Sequence, residues 1–332
     1  MGYYDLSVPE QVLYLDTLKS SHKIDSRFSV YDGDETFISY PSWNITTGQV
    51  DGDIRNDIDR VLSFTIMDDA FSWNINGNLW VDNFVGVEYA IYVPTLGWIW
   101  DWVFFGPVTK HTRDGWQHDI ECSGKEVRMM PPVRQPILSN PSSRELKEYI
   151  RFAAQDFGEA SFDLGSGTEL VRKHYHITPR KAKVKGVWWY LSRLADHRKK
   201  RLFYSREGVL TLDDKKTGAG IVFSWDDVFT APTHEFDMSK VINRVEVFSK
   251  DKRGYDTLKG IAELAAIHPL SPESLIRNGE CLTLLQEIHS DHFLSKAEGN
   301  SRAQDALDDA VSNVLDVSFE GYPVPFLELG DR

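Results

Sequence analysis

His174 and His176, in the run His174-Tyr175-His176, place two imidazoles on one strand face, a spacing that metal ions use. No Cys, Asp or third His stands near enough in the sequence to complete a four-ligand shell. His289 and His292 are three apart and face the same shortage. The acidic pairs Asp68-Asp69, Asp213-Asp214 and Asp226-Asp227 have the residue type that glycosidases use for acid and nucleophile. Each sits beside turn signals, where paired carboxylates also serve as solvated surface. Nucleophilic hydrolysis would need a serine on a sharp Gly-x-Ser-x-Gly turn, and the chain has none. Gly165-Ser166-Gly167 and Gly218-Ala219-Gly220 are too short to cradle a phosphate and read as turns. Ser20-Ser21 and Ser142-Ser143 read as caps and loops. These patterns predict no enzyme, no cofactor and no metal.

Two further runs could serve recognition. Arg198-Lys199-Lys200-Arg201 is the basic run; it could touch nucleic acid or an acidic partner, or complete the solvated last turn of a helix, where positive charge suits the macrodipole. Trp98, Trp100, Trp102 and Phe104 alternate along one strand, with Ile99, Asp101, Val103 and Phe105 opposite. A strand apolar on both sides is covered on both sides. One cover is the core. The other is a neighbouring subunit or more of the same chain, and aromatic side chains are enriched at the centres of interfaces. Trp98, Trp100, Trp102 and Phe104 are therefore the candidate subunit-interface residues.

The elements that position these residues are mostly strands at first. Leu62, Phe64 and Ile66 alternate inward in Val61–Ile66. Glu88–Val93 and Trp98–Phe105 flank the four-residue hairpin loop Pro94-Thr95-Leu96-Gly97. Gln117–Cys122 is another strand, and such spacing suggests a barrel or sandwich. Prolines at 131, 132, 136 and 141 mark a linker. Ser142 and Glu145 have capping-box spacing, and Leu146, Tyr149, Ile150, Ala153 and Phe157 then form a helical stripe that Gly158 can stop. A second helix is predicted over Val187–His197, followed by a hairpin turning at Glu207-Gly208. Val241–Phe248 reads as a strand, and Cys281–Ile288 as strand or helix. Ser301 and Gln304 suggest a cap for a helix at 302–315 with an apolar stripe of small residues.

The 332 residues carry a net charge of −13, which disfavours tight general DNA binding, because phosphate contacts need a surplus of Lys and Arg. No apolar run approaches the ~20 residues that span a bilayer, and no signal peptide is expected. Cys122 and Cys281 are expected to be unpaired, buried thiols of a cytosolically made protein.

The run Gly48–Ile66 resembles the tail hub proteins of long-tailed phages. There a Gly-x-Val turn and an Asp-Gly, here Gly48-Gln49-Val50 and Asp51-Gly52, precede an Arg and an alternating Leu-Ser-Phe-Thr strand. Phe105-Gly106-Pro107-Val108 resembles the family's strand ending in Gly. Val184–Leu212 resembles its helix-then-hairpin element, and Val241–Val247 the Asn-x-Val strand that opens a second barrel. The resemblance implies a mainly β fold with an α+β insertion: a tube-like β-barrel at 1–130, an α+β domain at 131–235, and a second tube-like β-barrel at 236–332 with helix 302–315, short at its C-terminus. It implies a structural hub of a phage tail tip or baseplate in the virion. Three chains with two barrels each would form a trimeric, pseudo-six-fold ring that lets DNA pass without specific binding. Implied partners are the distal tail or tail tube protein, the tape measure protein and other tail-tip proteins, with no membrane insertion. The competing expectations are a tail-associated cell-wall hydrolase and a carbohydrate-binding receptor-recognition protein whose tryptophans stack on sugars.

Overall fold

The computed structural model describes residues 2–41, 45–53, 58–67, 83–130, 145–170, 179–196, 198–214, 233–237, 240–250, 255–277, 279–290, 294–312, 315–318 and 324–326. Among the described residues strand makes up 44% and helix 25%, so the fold is mainly β, as the alternating patterns predict. The chain divides into two compact units. One comprises Met1–Phe223 with Tyr322–Arg332, and the other Ser224–Gly321. Residues 322–332 thus return to the first unit, where Phe326 is fully buried and stacks on Tyr3 at 3.9 Å.

The first unit opens with a helix, α1 (Val8–Leu18), that strand patterning alone does not anticipate. The Glu10 carboxylate accepts the Ser7 backbone N–H at 2.8 Å, and Tyr14 and Leu18 are fully buried. Seven strands follow: β1 (Ile24–Tyr31), β2 (Phe37–Ser39), β3 (Ile45–Gly52), β4 (Arg60–Met67), β5 (Phe84–Val93), β6 (Gly97–Asp114) and β7 (Gln117–Ser123). They form one antiparallel sheet in the order β2-β1-β5-β6-β7-β4-β3. Its edges, β2 and β3, are neighbours in the sequence. Six Cα steps from Ser39 to Ile45 reach roughly 20–22 Å at most, whereas the edges of a flat seven-stranded sheet lie roughly 29 Å apart. The sheet must therefore curl. Among the described residues it does not close into a barrel, because β2 and β3 do not pair.

The curl turns within β6. Its first half pairs with β5 and its second with β7. Gly106 sits at this corner, where a Cβ would meet the Ser123 carbonyl oxygen at 2.1 Å, so only glycine lets the strands approach. Phe105–Val108 therefore lies inside a continuing strand and does not end one. Likewise Gly48–Val50 lies within β3 and not in a turn. Leu62, Phe64 and Ile66 point inward as predicted and pack with Val85, Val87, Phe104, Ile120 and Cys122.

The rest of the first unit is α+β. It contains α2 (Leu146–Gln155), β8 (Phe162–Asp163), α3 (Pro179–Asp196, broken at Gly186), β9 (Lys200–Tyr204) and β10 (Leu210–Asp214). The predicted stripe Leu146, Tyr149, Ile150 and Ala153, and Val187, Leu191, Leu194 and Ala195 of the second predicted helix, share one core with Leu202, Tyr204, Leu210 and Leu212. Burying each large side chain contributes about 1.5–3 kcal/mol. Ser142 of the predicted capping box lies outside the described residues, and Glu145 stands at the N-cap.

The second unit holds β11 (Thr233–Phe236), β12 (Arg244–Lys250), β13 (Asp256–Glu263), β14 (Ile276–Arg277), β15 (Glu280–Cys281), β16 (Leu285–Ser290), α4 (Lys296–Ser312) and β17 (Leu315–Ser318). β12 pairs antiparallel with β13 and parallel with β16. This mixed three-stranded sheet, packed on α4, does not repeat the antiparallel order of the first unit, and no closed barrel forms among its described residues. β11 pairs with β17, which zips the entry and exit of the unit together. Two boundaries shift from the sequence reading. The strand begins at Arg244, because the Asn243 side chain donates to the Leu282 carbonyl and accepts the Leu284 N–H. The helix begins at Lys296, because Ser295 and Glu298 form the capping box in place of Ser301 and Gln304.

Candidate functional site

The sequence candidates for chemistry disperse. His174, His176, His292, Asp68, Asp69, Asp226, Asp227, Ser142, Ser143, Gly218 and Gly220 lie outside the described residues. His289, on β16, stacks on Phe248 at 5.2 Å. Asp214 pairs with Lys200 at 2.8 Å, and Gly165 makes a turn at φ 61. Two histidines that spacing does not single out do meet: His111 Nε2 lies 3.0 Å from His118 Nδ1 across β6 and β7. No group of three metal-capable side chains forms among the described residues. Both cysteines are free; Cys122 is buried, but Cys281 is exposed on a two-residue hairpin strand, contrary to expectation. Burial pushes the Cys122 thiol well up, which leaves it inert.

The basic run also divides. Arg198 donates to the Leu170 carbonyl in the turn after α3. Lys200 and Arg201 belong to β9 and not to a helix end. Lys200 pairs with Glu169 and Asp214, and Arg201 lies 3.8 Å from Asp59.

What remains is the aromatic face of β5 and β6. Trp98, Trp100 and Trp102 stand opposite Tyr92, Ala90 and Glu88. Between Val87 and Glu88 the register slips, leaving Val103 as the extra residue of a β-bulge. The bulge reverses the alternation after it. Phe104 turns into the core, fully buried against Leu62, Phe64 and Val108, and Phe105 takes its place beside Trp102 at 6.1 Å. The expected four-residue row is thus corrected to Trp98, Trp100, Trp102 and Phe105.

The row continues into Phe84, stacked on Phe105 at 5.5 Å, and Tyr31, 5.1 Å from Phe105. Arg27 lies between the Trp100 and Tyr40 rings, at 4.7 and 4.8 Å, while both its Nε and Nη2 reach Glu88. Neutralised and stacked, that guanidinium behaves as part of the aromatic surface. At the outer end Trp98 is 39% exposed; exposed Phe37 lies 5.6 Å from Tyr31 and 4.8 Å from exposed Tyr40. Single exposed apolar residues are ordinary; a contiguous group marks an interaction surface.

A buried ionic junction holds the inner end. Lys125, fully buried, donates to Glu35 and Glu159 at 2.8 Å each and to the Gly208 carbonyl at 3.1 Å. Its ammonium stands 5.8 Å from the Phe105 ring and 5.3 Å from that of Tyr204. Beside it, burial and the neighbouring Asp59 charge push the Glu126 carboxyl up to about 8, so it is protonated at neutral pH. Arg60 donates to the Tyr204 carbonyl at 2.9 Å. These residues fix the α+β segment to the sheet. Nothing in the pair Lys125-Glu126 signals this, because its partners lie tens of residues away.

No family model matches the sequence, and no curated protein matches it. Solved structures do. The 43 kDa tail protein of prophage MuSo2 from Shewanella oneidensis superposes with a TM-score of 0.53 at 15% identity, covering 90% of this chain and 84% of its own. The tail protein from Neisseria meningitidis MC58 gives 0.55 at 12% identity, covering 89% and 79%. The chain has the fold of these phage tail proteins. The tail-protein fold accounts for the long open sheet and the α+β segment together, since the match spans nearly the whole chain. At these identities it speaks for the fold and not for individual side chains.

Proposed function

We propose that this chain is a structural hub protein of a phage tail tip or baseplate, located in the virion and without catalytic activity. The observation that carries the proposal is the tail-protein fold over about nine-tenths of the chain. In this reading three copies form a ring that joins the tail tube or distal tail protein to the tip and lets DNA pass. Each chain supplies two β modules, the seven-stranded sheet and the differently ordered sheet of β12, β13 and β16, so that three chains present six modules to a six-fold tube. The functional division is 1–130, 131–235 and 236–332, with tube-like modules first and last. The tape measure protein and other tail-tip proteins are the further neighbours. Trp98, Trp100 and Trp102, with Phe105, form part of the contact between subunits.

The −13 charge supports an acidic lumen, along which a duplex slides without being held. The experiment is light scattering of the purified chain, followed by electron micrographs of the assembly. The reading expects three copies in an annulus with an acidic channel. A monomer at every concentration, or a channel lined by Lys and Arg, contradicts it.

A further inference from the structure

The acidic balance of the chain is unevenly distributed. Residues 179–201 contain nine of the 37 Lys and Arg and a single acid, Asp196. In the described part of this stretch, α3 turns Val187, Trp188, Leu191, Leu194 and Ala195 into the core. Its outer side carries Trp189 and Arg193, four residues apart on the helix after the break, and Lys185, just before the break at Gly186, reaches the same indole. Lys185 Nζ lies 5.3 Å and the Arg193 guanidinium 4.7 Å from the Trp189 ring. Lys185 and Arg193 are exposed, and among the described residues neither forms an ion pair, in contrast to Lys200 nearby. Contact with the indole holds two long cationic side chains extended, which lowers the ordering cost of docking them.

A closed ring of three identical copies needs two different, complementary patches on each, because its interfaces are head-to-tail. The stripe cannot pair with itself, since like charges would meet. Asp119, exposed on β7, and the half-buried Glu121 beside it, which lies 3.9 Å from Lys110, offer the complement. They border an open groove of about 320 Å³ that Thr47, Ser63, Thr65 and Lys110 also line. Hydrogen bonds from Gln117 and Thr65 hold the Asp119 carboxyl below its usual range, so it stays ionised.

We propose that the Lys185–Trp189–Arg193 stripe of one copy docks on the Asp119–Glu121 face of a second copy of this chain. The inference rests on the ring reading above. The test is light scattering of three full-length proteins: the natural chain, Lys185→Glu/Arg193→Glu, and that variant with Asp119→Lys/Glu121→Lys added. The natural chain is expected to be trimeric, the double variant to associate at least about tenfold more weakly, and the fourfold variant to recover. Circular dichroism establishes that each is folded. If reversal unfolds the chain, Lys185→Ala/Arg193→Ala is expected to dissociate at lower salt than the natural chain. A double variant that remains trimeric, a fourfold variant that does not recover, or a stripe whose reversal abolishes only duplex DNA binding overturns this docking while leaving the ring intact. A monomeric natural chain overturns the ring itself.

Discussion

The backbones of Gly260 and Gly299 touch: a Cβ on Gly260 would fall 2.1 Å from the carbonyl carbon of Gly299. Gly260 lies in β13 and Gly299 in the first turn of α4, so the helix crosses the sheet at backbone contact. Gly260→Ala is expected to force the two elements apart and to cost about 1–3 kcal/mol, as overpacking does. Thermal unfolding of the full chain measures it; an unchanged midpoint would show that the contact is not tight.

Lys125→Ala should be the most damaging single change near the aromatic row. It leaves the buried Glu159 carboxylate without this cation and Glu35 with Arg128 at 3.4 Å. Breaking one side of a buried pair typically costs about 3–5 kcal/mol. Lys125→Ala/Glu159→Ala should lose less than the two single changes added together. Urea denaturation of the four proteins reads the coupling, and strict additivity would deny it.

Glu126 makes stability depend on pH. Its carboxyl is raised to about 8 in the folded chain. Between its ordinary value, near 4.3, and about 8 the native state keeps a proton that the unfolded chain releases. Its contribution is therefore complete at pH 4 and falls as pH rises, with no further loss above about 8. Glu126→Gln should flatten that part of the profile. Urea midpoints at pH 5 and pH 8.5 test this; equal slopes for both proteins would contradict it.

The bulge at Val103 predicts opposite phenotypes for neighbours in the sequence. Phe104→Ala should cost about 3–5 kcal/mol, because the side chain is fully buried. Trp98→Ala, at a position 39% exposed, should leave the midpoint within about 1 kcal/mol and weaken association instead. Calorimetry combined with sedimentation separates the two effects.

Much of this was legible in the residues. Leu62, Phe64 and Ile66 alternate without interruption, and Leu146, Tyr149, Ile150 and Ala153 repeat at helical spacing, so period alone assigns both elements and their inward faces. Phe104 was misplaced because one inserted residue inverts every face after it, and the sequence carries no mark of the insertion. The start of α4 was obscured by Gly299 and Asn300, poor helix formers; the glycine is needed for its approach to Gly260. The Lys125 junction was illegible because its partner Glu35 lies 90 residues away.

Cryo-electron microscopy of the purified, full-length chain tests the central claim most directly. The account predicts a three-copy annulus whose subunit contact includes Trp98 and whose open channel is acidic. A globular monomer, or a closed particle with no passage through it, would contradict it.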